Sequence, residues 1–166
     1  MTPPSPAAGP PAGPAASLVR DEPSPPAPVG GEGARTWVIE LPPGIPVVTA
    51  NNRMNRYERN RRVQGLKDAV TILARAQHIP VLYRIDFLCE YLSPPRLKRD
   101  RAWGASDAIT DSDGIAPTGK ACLDGLAAAE VVAVDSAKYV RRSTCVLAEE
   151  RHLRGLVRLH ITEVSR

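Results

Sequence analysis

Asp111-Ser112-Asp113-Gly114-Ile115-Ala116-Pro117-Thr118-Gly119-Lys120-Ala121-Cys122-Leu123-Asp124-Gly125-Leu126 is the stretch on which the fold turns. Asp113 stands where a helix N-cap belongs, and Pro117 lies just inside the first turn, where its missing N–H costs little. Ala121, Cys122, Leu123 and Leu126 supply apolar positions, so a helix is expected from Ala116 to about Ala129. Lys120 and Asp124 fall one turn apart on it and can pair. The same stretch carries chemistry. Asp111 and Asp113 alternate, so on an extended segment they share a side, and Asp135, beyond Val131-Val132-Ala133-Val134, can approach from past the helix. Three such carboxylates suit Mg²⁺, with Mn²⁺ as a substitute, because hard cations prefer oxygen ligands. Lys120 adds a fixed positive charge of the kind phosphoryl chemistry uses. Taken alone, the acidic pair is more readily the mark of a solvated N-cap, since Asp-x-Asp is common in turns.

Outward from this helix, strands are expected on both sides. Thr36-Trp37-Val38-Ile39-Glu40-Leu41 is rich in β-branched and aromatic residues and stops at Pro42-Pro43. Leu66, Val70, Leu73 and Ala74 recur at helical spacing between Arg56 and Gln77, before Pro80. Val81 to Cys89 reads as a second strand, broken by Pro94-Pro95, and the segment from Pro94 to Asp111 as a loop. Two further strands are expected around Tyr139 to Ala148 and Leu156 to Val164, joined by a hairpin turn at Arg154-Gly155. The resulting order is β-α-β-α-β-β. It predicts an α+β domain over 35–166, with one mixed sheet and two main helices packed on it.

Residues 1–34 have a different character, with proline recurring among Ala, Gly and Ser and almost nothing large and apolar. Such a segment cannot offset its ordering entropy by burial, so a disordered tail is expected. It lacks the basic start and apolar core of a signal peptide, and no later run is long enough to span a membrane. Cys89, Cys122 and Cys145 are far apart in the chain, with no CxxC pair or matching histidine spacing. Reduced, buried thiols in a cytoplasmic protein are the expectation. His78, His152 and His160 are likewise scattered.

The formal net charge of +4 over 166 residues understates a clustered basic character. Arg53, Arg56, Arg59, Arg61 and Arg62 form one group, Arg96, Lys98, Arg99 and Arg101 a second, and Lys138, Arg141 and Arg142 a third. Each alone reads as a solvated surface. Three groups around one acidic set point to a polyphosphate partner. With few aromatics to stack on single-stranded bases, the backbone of a duplex or branched duplex is the favoured contact.

In this arrangement the chain resembles the RusA-type Holliday junction resolvases, the crossover junction endodeoxyribonucleases, from about Trp37 to Glu163. The resemblance rests on Leu41-Pro42-Pro43 followed by Asn51-Asn52-Arg53 and Arg56-Tyr57; on the basic run before the acids; on Asp111-x-Asp113 with Pro117-Thr118-x-Lys120-Ala121-x-x-Asp124-Gly125-Leu126; and on Asp135 before a strand. It implies metal-binding carboxylates at Asp111, Asp113 and Asp135 and a catalytic lysine at Lys120. The activity implied is Mg²⁺-dependent resolution of four-way DNA junctions by a homodimer that makes paired, symmetric phosphodiester cuts. DNA contacts are then expected from Arg53, Arg56, Arg59, Arg62, Arg96, Lys98, Arg99 and Arg101. The sequence departs from the family at Gly114, where many relatives have Asn, at Val134, where an acid is usual, and at Glu130, where Gly commonly closes the helix. It also has a longer spacing between Asp113 and Lys120 than the shortest members. Two alternatives remain beside this reading: a branched-DNA-binding protein of the same fold without catalysis, and a metal-dependent phosphoesterase acting on something smaller.

Overall fold

Ile39 and Trp37 alternate with the more exposed Thr36, Val38 and Glu40, and this two-residue period makes Thr36–Glu40 the first strand, β1. The computed structural model describes residues 34–51, 54–95 and 112–165. Helix α1 spans Arg56–Ala76, and Asn55 caps it by accepting a hydrogen bond from the Glu58 N–H at 2.8 Å. Leu66, Val70 and Ala74, spaced four apart, bury one face of α1. β2 follows at Ile85–Leu92, α2 at Ala116–Ala128, β3 at Val140–Leu147 and β4 at Leu156–Glu163.

Among the described residues the architecture is α+β, with a single mixed four-stranded sheet in the order β1-β4-β2-β3 and two α-helices. β4 runs antiparallel to both β1 and β2, whereas β2 and β3 are parallel, as a crossover through α2 requires. Phe87, Cys89 and Tyr91 of β2, Val157, Leu159 and Ile161 of β4 and Ile39 of β1 form the core with Leu66, Val70 and Ala74 of α1 and Cys122 and Leu126 of α2. Residues of the opposite parity are mostly polar, with the apolar Val38 and Leu88 flanking His160. Arg158 reaches both Glu40 and Glu90, His160 lies 3.4 Å from Glu90, and the Thr36 and Thr162 hydroxyls meet at 3.1 Å. Among the described residues no helix is long and apolar enough to cross a membrane.

Two sequence expectations are corrected here. The second strand begins at Ile85 rather than Val81: Val81 is exposed, and Leu82 spends its N–H on the Val131 carbonyl at 2.8 Å instead of on the sheet. Pairing on both sides, with Val140 of β3 and Glu163 of β4 opposite Ile85, fixes the start. The last two strands are not a hairpin, because they lie on opposite sides of β2. The connection instead passes the end of β2, with Ala148 and His152 donating to the carbonyls of Tyr91 and Ser93. Gly155, at φ +73°, makes the bend into β4.

Both helices end in the same way, with residues other than glycine in the left-handed region. After α2, Glu130 has φ +65°, its N–H bonds to the Ala127 carbonyl, and the N–H of Val131 reaches back to that of Leu126. After α1, His78 at φ +51° and Ile79 repeat the pattern on Arg75 and Ala74. These are Schellman closures, where glycine is the unstrained choice. Val131 is buried, so the closure is held by packing despite its backbone cost. Glu130→Gly is therefore expected to stabilise the protein by about 1 kcal/mol, against which glycine's greater freedom in the unfolded chain works only in part. Urea unfolding of the two proteins measures it, and an unchanged or lower midpoint would show that the strain is absent.

Candidate functional site

Ile115, at the entrance to α2, is apolar and wholly inaccessible. It belongs to a 3-10 turn, Asp113–Ile115, that runs directly into α2 with Ile115 at the cap position and Pro117 in the first turn. Asp113 is thus not the N-cap the sequence predicts. It opens the 3-10 turn and is exposed, while the cap position of α2 falls on Ile115, whose own backbone is helical.

The start of α2 is fastened to the segment between β1 and α1. Thr118, fully buried, donates its hydroxyl to the Val48 carbonyl at 2.8 Å and accepts the Val48 N–H at 2.9 Å. Ala50 donates to the Gly114 carbonyl at 3.0 Å, and Arg62 reaches the Val47 carbonyl from α1 at 3.3 Å. This chain of bonds sets the approach to α1 beside the turn that carries Asp113. The segment after β1 and both helices therefore meet at this edge.

Lys120 lies one turn further along α2. Its Nζ donates to Asp124 Oδ1 at 2.9 Å and to Asp135 Oδ2, fifteen residues on, in a second close ion pair. Val131 and Val132 are buried while the residues from Ala133 to Lys138 are exposed, so Asp135 stands on a loop anchored at its near end and held to α2 by Lys120. Exposed ion pairs contribute about 0.2–1 kcal/mol each. A contribution of that size does little for the fold; the arrangement's consequence is a fixed ammonium between two carboxylates.

The remaining predicted residues divide. Asp111, Arg53, Arg96, Lys98, Arg99 and Arg101 lie outside the described residues. Arg56 and Arg59 are exposed at the start of α1 and have no ion pair among the described residues. Arg62 is partly buried and committed to Glu58 at 2.8 Å, which Arg61 also contacts. Hydrogen bonding from Arg62, then Arg61, holds the Glu58 carboxyl below the usual range. In the third basic group Arg141 is spent on Asp86, which it bonds through two nitrogens and whose carboxyl it depresses, and Lys138 lies 5.0 Å from the Tyr139 ring centroid. Arg142 is exposed. The helix-face picture of four equivalent arginines thus reduces, within the described residues, to Arg56 and Arg59.

One convergence was not legible from spacing. Cys89 and Cys145 are register partners on β2 and β3, and Cys122 of α2 contacts Cys89 from above. All three are free thiols, and Cys89 and Cys122 are buried. The Cys89 thiol is pushed well up, chiefly by its hydrogen bond with Cys122, and the Cys145 thiol by its contact with Cys89 and by burial. Thiols so held protonated are poor nucleophiles. The pairing of cysteines 56 positions apart depends on which strands become neighbours, so no local signal announces it. Among the described residues no three His, Cys, Asp or Glu side chains are placed to hold a metal ion.

Compared with protein-family models the chain matches none, and compared with curated proteins it has no significant match.

Proposed function

We propose that this protein is a Mg²⁺-dependent, structure-selective endonuclease that cuts four-way DNA junctions, in the manner of the RusA-type resolvases it resembles. The observation that carries the reading is the ion pair between Lys120 and Asp135, which joins the lysine and the distal acid that the resemblance marks as functional. Nothing in helix packing requires these two to meet. Asp135 lies beyond the helix end, on an exposed loop with other directions open to it.

The donors fit a hard divalent cation in kind: Asp113 and Asp135 offer exposed carboxylates, and the Lys120 ammonium on Asp135 is itself a cation on one of them. Asp111, Asp113 and Asp135 would hold the ion. When bound, it lowers the pKa of a water and polarises a phosphoryl oxygen. Lys120 has three N–H donors, of which Asp124 and Asp135 take two, leaving one to meet charge that develops on a phosphate oxygen. Arg56 and Arg59, exposed at the start of α1, grip the backbone of the duplex arm. Two symmetric cuts in a two-fold junction call for two sites in two-fold relation, which a homodimer supplies.

The direct test is nicking of an end-labelled synthetic four-way junction with and without Mg²⁺, with a linear duplex as control. Metal-dependent, symmetric cuts in the junction alone are expected. Tight junction binding without cutting would favour the non-catalytic reading, and hydrolysis of small phosphodiesters with no junction binding would favour the smaller-substrate enzyme. For the arginines, replacing both Arg56 and Arg59 by Gln should weaken binding to every branched substrate alike. It should also flatten the dependence of log affinity on log salt by roughly one unit per lost phosphate contact. Superimposable salt slopes for parent and double variant would remove this helix start from the DNA path.

A further inference from the structure

Asp124 is the acid in the motif to which neither the metal nor the DNA assigns a task. It pairs with Lys120 at 2.9 Å from one turn further along α2, while Asp135 holds the same ammonium from the loop. The order, cation first and acid four residues later, is the less favourable one for helix stability, so the pair is poorly explained as a helix brace. A lysine is a point charge on a four-carbon stem, and at 59 % side-chain exposure packing does not fix it. The two carboxylates do. Of them, Asp124 is rigidly placed, since it shares a helix face with Lys120. Asp135 is the one whose oxygens a divalent cation would claim, and with those oxygens engaged, Asp124 remains as the anchor.

Resting on the proposed role of Lys120, we infer that Asp124 is a positioning residue for phosphodiester hydrolysis. It holds the Lys120 ammonium beside Asp135, so that the free N–H is presented to the phosphate rather than to bulk water. A displacement of about 1 Å at such a group costs on the order of a hundredfold in rate, so an anchor that prevents it has a measurable effect. Asp124 touches neither the phosphate nor the ion. It acts through Lys120, and its removal should therefore lower the rate of the chemical step and leave substrate binding alone.

The test is a double-mutant cycle on the full chain, using Lys120→Ala, Asp124→Asn and the two combined, with a synthetic four-way junction in Mg²⁺. Asp124→Asn is expected to lower kcat about tenfold with KM and metal-free junction affinity unchanged, Asp124→Glu to recover part of the loss, and Asp124→Asn to add nothing in the Lys120→Ala background. In the metal-free protein, NMR of the labelled lysine side chains should show Lys120 more mobile in Asp124→Asn than in the parent. If Lys120→Ala is inactive while Asp124→Asn cuts at the parental rate, or if the two losses multiply, the inference is overturned and the nuclease reading stands. If Lys120→Ala cuts like the parent, the role of Lys120 and the inference fall while the nuclease reading stands; if the parent does not cut at all, the nuclease reading falls and the inference with it.

Discussion

Replacing Asp135 by Asn should reduce junction cleavage by about a thousandfold or more while leaving junction binding unchanged or tighter. The substitution is nearly isosteric, so the loop need not move, but it removes the charge that offsets the Lys120 ammonium and, on the proposed reading, would offset a divalent cation. Loss of several kcal/mol of charge stabilisation corresponds, at about 1.4 kcal/mol per factor of ten, to a rate loss of that order. Binding moves the other way, since one less carboxylate faces the phosphates. Stability should hardly respond, because a solvent-exposed pair contributes at most about 1 kcal/mol. Asp113→Asn and Asp111→Asn are expected to behave alike. The comparison needs single-turnover cutting, metal-free binding and thermal unfolding on the same preparations; an Asp135→Asn protein that cuts near the parental rate would detach this acid from the chemistry.

What was legible in the sequence follows from the range of the forces concerned. The helix over Ala116–Ala128, the helix from Arg56 and the two C-terminal strands were visible because apolar period, proline and caps act within a few residues. The start of β2 was not, because Val81-Leu82 is as apolar as a strand and only the partners of Ile85 on either side decide where pairing begins. The hairpin expectation at Arg154-Gly155 failed for a related reason. A glycine bend before a strand marks a reversal but does not say which neighbour the next strand will take, and β4 takes β1 and β2. At the site, the Lys120–Asp124 pair is a helical period read directly. That Lys120 and Asp135 belong to one site is read from spacing and from the resemblance, but only the path of the loop after Val132 gives the pair a geometry. Arg62 shows the opposite case, a residue that reads as part of a binding face but is drawn in by Glu58 and the Val47 carbonyl.

Gly125→Ala should destabilise the protein by about 1–2 kcal/mol, an unusual result for a change that ordinarily strengthens a helix. α1 and α2 cross here so closely that an added Cβ would lie 2.8 Å from the Val70 Cβ, 2.9 Å from the Lys67 carbonyl oxygen and 3.2 Å from the Lys67 Cα. Two of these neighbours are backbone atoms, which cannot rotate aside. The helices must separate, and the Thr71 hydroxyl, which donates to the carbonyls of both Lys67 and Gly125, would lose its geometry. Overpacking of this kind costs roughly 1–3 kcal/mol or more, while replacing glycine by alanine within a helix returns about 1 kcal/mol. Gly65→Ala supplies the control. It lies within α1 with nothing in reach of the new methyl, so the same exchange should there raise stability by about 0.5–1 kcal/mol. Urea unfolding of the two variants beside the parent should therefore give midpoints displaced in opposite directions. If both rise, the close helix crossing does not exist in solution. If Gly125→Ala falls as expected, Asp124 and Lys120, on the same turns of α2, should lose their alignment, and cleavage should drop by more than the loss of folded protein accounts for.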